Sequence, residues 1–223
     1  MLEPVEEHLT EEELEQLEGP SEALTNSVRG LIDAVIRTEV GSDVLDDVRR
    51  TIDEATERLR AKVLPGSFGV RFSFPGKLRA WGNTVVGLRN AMAPPLTIVW
   101  NDDGSVVGHA TLGAAYEGPA GYVHGGVSAL LLDQACGEAA HASGRPGMTA
   151  SLTLNYRRPT PLGPVRVEAA AVPGGGIKTT VLGRVISLAD GKEELCVEAE
   201  GLFILPRAVR ERIEEMNVET EER

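Results

Sequence analysis

A chain of 223 residues suits one compact domain with an appendage, and 42% hydrophobic with 25% charged residues is the composition of a soluble globular protein. The net charge of −12 sits at the ends: residues 1–60 carry 17 acids and 6 bases, residues 210–223 carry 6 and 3, and residues 61–209 come to +2. That bulk repulsion excludes nucleic acid as a partner but allows a small anion held by local arginines, and no apolar run approaches the roughly 18 residues of a membrane span.

The first sixty residues read as helix. Thr10 and Glu13 have the spacing of a capping box, and Leu24, Val28, Leu31, Ile32, Val35 and Ile36 form an amphipathic stripe. Gly41 and Ser42 interrupt it, and Leu45, Val48, Ile52, Ala55 and Leu59 begin a second. Two solvated helices covering something is the plain expectation. Residues 64–95, with Pro65, Gly66, Pro75, Gly76, Gly82, Pro94 and Pro95, form a loop-rich passage.

From there the pattern turns to strands. Leu96–Trp100 and Ser105–Leu112 flank Asn101-Asp-Asp-Gly104, a hairpin signal. A Gly- and Pro-rich segment, Tyr116–Gly126, leads into a helix over Val127–Ser143. Strands follow at Thr149–Tyr156, Val165–Val172, Lys178–Leu188 and Glu193–Leu205. The order β-β-α-β-β-β-β makes an α+β fold, one helix inserted in an antiparallel sheet. The chain divides into an acidic helical extension at 1–65, a domain at 66–209 and an acidic tail at 210–223.

That helix is thin, with Ala129, Ala135, Cys136, Gly137, Ala139, Ala140 and Ala142, yet Asp133 sits in its middle. A carboxylate there costs several kcal/mol unless it is paired, hydrogen-bonded or open to water. Gly125-Gly126 at the entry leaves backbone N–H groups at a helix N-terminus, where an oxyanion or phosphate is favoured. Seven residues at about 1.5 Å each separate Gly126 from Asp133 by roughly 10 Å along the axis, too far for both to act on one carbonyl. Joint catalysis therefore needs a second copy of the helix, from a symmetric dimer. The alternative for Asp133 is a satisfied structural carboxylate.

Tyr122-Val-His-Gly-Gly-Val-Ser-Ala-Leu-Leu-Leu-Asp133 and Gly147-Met-Thr-Ala-Ser-Leu-Thr-Leu-Asn-Tyr-Arg-Arg-Pro159 resemble the hotdog-fold acyl-CoA thioesterases. The branch is the one holding the phenylacetate-pathway enzymes and the thioesterase-superfamily members, and the resemblance spans Leu96–Leu205. It implies a sheet wrapped around one central helix and activity only as a homodimer, with a dimer of dimers as a further arrangement. It also implies acyl-CoA hydrolysis in fatty acid metabolism, without metal or cofactor. By position it implies that Gly126, beside Gly125, polarises the carbonyl, that Asp133 is nucleophile or general base, that Thr149 orients water and that His124 bonds near the carbonyl. Several relatives have Asn six residues before the His, where this chain has Gly118.

Tyr156 joins the expected substrate-binding set with Arg157 and Arg158, a guanidinium pair suited to CoA phosphates, and with Lys178 after Gly174-Gly-Gly176. The alternative for these cations is a solvated surface. His109 and His141 lie off the motif, Cys136 reads as core packing, and Trp81 and Trp100 either line an acyl tunnel or fill the core. Two cysteines, Cys136 and Cys196, are too few for a disulfide scaffold, and Met1–Glu13 lacks an apolar signal region, so the expected location is cytoplasmic. Two rival readings are a non-catalytic acyl-CoA-binding or regulatory module and an enoyl-CoA hydratase. The Asp-x-Asn-Pro-x-His pattern of hotdog hydratases is absent.

Overall fold

A computed structural model describes residues 5–73 and 77–207. The expected acidic tail at 210–223 and the Pro75-Gly76 break lie outside the described residues. Two compact units divide the chain, Met1–Ala93 and Pro94–Arg223.

In the first unit, helix α1 spans Glu11–Arg37 and α2 spans Ser42–Arg60. Thr10 and Glu13 form the expected capping box: Glu13 N–H donates to Thr10 Oγ1 (3.2 Å) and Thr10 N–H to Glu13 Oε2 (2.9 Å). Gly41 caps α2 at the expected interruption. The apolar stripes stay largely exposed: α1 buries only Leu14 and Thr25, and α2 buries nothing. The N-terminal stretch is not all helix, because β1 (Val5–Glu7) pairs in parallel with β2 (Arg71–Ser73), which pairs antiparallel with β3 (Lys77–Arg79). The loop-rich passage thus belongs to this small sheet. Charge drives the pairing, since the Glu7 carboxylate bridges the guanidiniums of Arg71 and Arg79.

The second unit follows the expected order. Strands β4 (Thr97–Trp100) and β5 (Val106–Leu112) form the hairpin, α3 (Gly125–Ala142) follows, and then β6 (Met148–Tyr156), β7 (Gly163–Ala171), β8 (Lys178–Ser187) and β9 (Glu194–Ile204). They build one antiparallel sheet in the order β4-β5-β7-β8-β9-β6. Period-two alternation points Val106, Ala110 and Leu112 of β5 and Val165, Val167 and Ala169 of β7 inward. They meet Leu131, Leu132, Ala135, Cys136, Ala139 and Ala140 of α3, the hydrophobic face of the thin helix. The approach is tight enough that a Cβ at Gly183 of β8 would lie 2.9 Å from Cys136 Sγ and 3.0 Å from Leu132 Cδ2. This is an α+β hotdog arrangement, one helix against a curved antiparallel sheet, preceded by helices. Among the described residues no helix is long and apolar enough to cross a membrane.

Candidate active site

The site is built where α3 passes β6. Strand pairing between β6 and β9 shifts register between Thr149 and Ser151, leaving Ala150 as an extra residue. Such a bulge bends a strand locally and re-aims its side chains. Thr149 Oγ1 donates to Asp133 Oδ1 at 2.8 Å, so the structure brings these two expected residues together. The half-buried Asp133 is compensated in two ways, by that hydrogen bond and by a cavity of about 370 Å³ that it lines with Thr149, Met148 and Phe203.

Three other lining residues were not singled out as partners of Asp133: Gln134, Glu138 and His141. Glu138 is held from two sides, by Gln134 Nε2 (2.8 Å) and by Trp100 Nε1 (3.1 Å), and the Trp100 ring lies 5.2 Å from the His141 ring. Their spacing of four and then three residues was the available signal, since it places all three on one helix face. His141, set aside as lying off the motif, therefore shares the cavity, and Trp100 packs beside it.

At the other end of α3, His124 is the N-cap. Gly126 N–H, expected to be free for a carbonyl, donates to His124 Nδ1 at 3.0 Å. With Nδ1 accepting, the neutral imidazole carries its proton on Nε2. Tyr156 reaches the same turn, donating its hydroxyl hydrogen to the Gly125 carbonyl at 2.9 Å. Gly118 also has a packing reason: a Cβ there would lie 2.7 Å from His124 Cα. The backbone at 118 is pressed onto the cap residue, which leaves no room for the Asn of some relatives.

The cations are placed elsewhere. Arg157 Nε donates to Glu198 Oε2 (2.6 Å) and Arg158 Nη1 to Glu194 Oε1 (3.4 Å), both acceptors on β9. Arg157 lines a second cavity, of about 820 Å³, and neither arginine nor Lys178 lines the one at Asp133. Lys178 is exposed at the start of β8. Cys136 is fully buried, and burial together with the nearby Asp133 charge pushes its thiol up to about 12, so it has no thiolate to attack with near neutrality.

Known proteins resemble this chain to different extents. The family model of the thioesterase superfamily matches residues 120–194, which contain His124, Gly126, Asp133 and Thr149. A solved structure of a thioesterase superfamily protein is 37% identical, aligned over 82% of this chain and 94% of the other with a TM-score of 0.72. A putative thioesterase of Ralstonia eutropha JMP134, described as phenylacetic acid degradation-related, is 26% identical over 50% of this chain and 85% of its own, with a TM-score of 0.44. A Streptococcus mutans UA159 protein solved with acetyl-CoA is 20% identical over 50% and 88%, with a TM-score of 0.46. An identity of 37% spanning nearly the whole of a superfamily protein, with the same helix and sheet beneath it, carries the conclusion: this chain belongs to the thioesterase superfamily.

Proposed function

We propose that the protein hydrolyses acyl-CoA thioesters to a free carboxylic acid and CoA, as a homodimer whose sites each draw on two chains. The observation that carries this reading is the 2.8 Å contact between Thr149 Oγ1 and Asp133 Oδ1 at the wall of a cavity. Thr149 holds one carboxylate oxygen. The other is the atom proposed to act, either by taking a proton from water or by attacking the carbonyl. In the water route a C–O bond forms, the C–S bond breaks, and the proton held by Asp133 passes to the departing thiolate. No metal or redox cofactor enters these steps.

The α3 N-terminus of the partner chain is proposed as the oxyanion site, with Gly126 N–H as donor. His124 occupies that N–H in the free chain, but a neutral hydrogen bond contributes only about 1 kcal/mol net. An oxyanion donor typically contributes about 3–4 kcal/mol, so the carbonyl displaces the imidazole as negative charge develops. The released imidazole, which carries its proton on Nε2, is then proposed to turn that N–H toward the same carbonyl. Dimerisation is supported by β6, a nine-residue edge strand that is mostly exposed and carries no neighbour on its outer side among the described residues. Thr149 lies on that strand, so the proposed seam and the proposed site coincide. Both cysteines are free and buried, which suits a reducing, cytoplasmic setting.

The test is thiol release from a panel of short, long and aryl acyl-CoA substrates, with Asp133→Ala as control. Turnover of at least one class, abolished in the variant, is expected. Tight CoA binding with no thiol released from any substrate would favour the regulatory module instead. In the same assay, changing Arg157 and Arg158 to Ala should raise KM for acyl-CoA and leave an acyl-pantetheine analogue nearly unchanged. Equal losses on both would make the arginines structural.

A further inference from the structure

Residues 61–93 contain Lys62, Arg71, Lys77, Arg79 and Arg89 and no acidic residue, a sharp change from the acid-rich residues before them. Three of these bases converge within the first unit on a cavity of about 430 Å³, together with Glu7, Phe68 and Trp81. Phe68 and Trp81 stack with centroids 5.8 Å apart. The Arg71 guanidinium lies 4.7 Å from the Phe68 centroid and Arg79 lies 4.8 Å from Trp81, while Arg89 sits 4.7 Å from Trp81 and 5.7 Å from Phe68. Ring faces attract and orient guanidiniums but cancel none of their charge.

The charge balance is therefore incomplete. Glu7 supplies one carboxylate, and its two oxygens are both taken, Oε1 by Arg71 Nη1 and Oε2 by Arg79 Nη2. Arg89 Nε donates to a neutral acceptor, Ser21 Oγ, at 3.1 Å. Partial burial of its guanidinium lowers the proton affinity of Arg89, a residue still exposed as a whole, and the neighbouring charges of Arg79 and Arg71 lower it further, in keeping with a surplus of positive potential.

We propose that this cluster is a phosphoryl-binding site in which Glu7 is a tethered occupant that the ligand displaces. The oxygen count selects the ligand class. A carboxylate has two oxygens and serves two guanidiniums, as Glu7 does, whereas a phosphoryl group offers three terminal oxygens to three forks. Glu7 is held by β1, a three-residue strand that among the described residues pairs with β2 alone, so few ladder bonds oppose its withdrawal. Arg89 is exposed, which gives the ligand an approach. The phosphoryl group comes either as free phosphate or as a monoester, and the two are separable by measurement.

The experiment uses the full chain with Trp100→Phe, so that Trp81 is the sole tryptophan and reports from inside the cluster. Its fluorescence is followed during titration with inorganic phosphate, with phenyl phosphate, and with acetate at matched ionic strength. A saturable change with phosphate and none with acetate is expected. Loss of one charged contact in Arg89→Gln should raise Kd by about tenfold or more, and removal of the competing carboxylate in Glu7→Gln should lower it severalfold. Arg89→Lys, which keeps the charge but not the fork, should fall between. Tighter binding of phenyl phosphate would identify a monoester, and equal or weaker binding free phosphate. The proposal is overturned if phosphate gives no saturable change, if acetate matches phosphate, or if Arg89→Gln and Glu7→Gln both bind as the parent does. Thiol release at Asp133 plays no part in this readout, so the two proposals stand or fall separately.

Discussion

Asp133 and Thr149 divide their work in a way that substitution can expose. Asp133→Asn keeps the shape and the Thr149 contact but removes the negative charge. If the carboxylate deprotonates water or attacks, turnover should fall by about 10²–10⁴-fold while the circular dichroism spectrum and melting curve stay those of the parent. Near-normal kcat in the folded variant would leave Asp133 a structural carboxylate. Thr149→Ala removes the hydroxyl that orients Asp133, together with the γ-methyl, and should cost roughly tenfold, since the carboxylate can still act from a less fixed position. Oxygen-18 appearing in Asp133 after a single turnover in labelled water would establish the covalent route. At this scale the motif made Asp133, Thr149 and His124 visible in the sequence. The pairing of Gly126 N–H with His124 was hidden, because a cap depends on a side-chain rotamer that spacing does not set. Glu138 was only half legible: its four-residue spacing from Gln134 is local, but Trp100, which holds its other oxygen, comes from a strand far away in sequence.

The elements of the second unit were legible because strand alternation and turn chemistry agree there. Asn101-Asp-Asp-Gly104 sits between two β runs, and the structure closes the hairpin at that point, with Gly104 at φ +79°. The first unit was less legible. A three-residue strand such as β1 carries too few side chains for a period, and its partner lies more than sixty residues away. Helix α3 raises the sharpest test at this scale, because Gly126 and Asp133 are about 10 Å apart along one axis. Gly126→Val places a Cβ 3.1 Å from His124 Nδ1 and crowds the proposed carbonyl site. Mixed with Asp133→Ala by co-refolding, each variant alone being folded and inactive, it should restore activity to about a quarter of wild type: half the dimers are mixed, and each mixed dimer has one intact site of two. No recovery, with mixed dimers confirmed by mass, would place both residues of a site on one chain.

Across the whole molecule, acid should act on both units. Burial pushes the Glu7 carboxyl up, but hydrogen bonds and charge from Arg71 and Arg79 outweigh it and hold the group below its ordinary 4.5. Thr10 holds Glu13 below that value in the same unit, and Arg166 holds Glu193 below it in the other. A carboxyl with a depressed folded pKa stabilises the fold above its ordinary value, and that stability is lost as pH falls through the depressed one. The melting temperature should therefore be level near neutrality and decline as pH drops below about 4.5, with a shallower decline in Glu7→Gln. A melting temperature that does not change down to pH 3 would contradict the pairing. The two rims of the large sheet have a further consequence. One rim is β6, nine residues long; the other is β4, four residues long and entered through Pro94-Pro95, which have no backbone N–H to donate. A sheet with two equal rims could add copy after copy without limit. With one rim blunt, a pair joined through β6 has spent the one long edge that the described residues of each chain offer, so growth along this sheet stops at two and a fibre cannot start there.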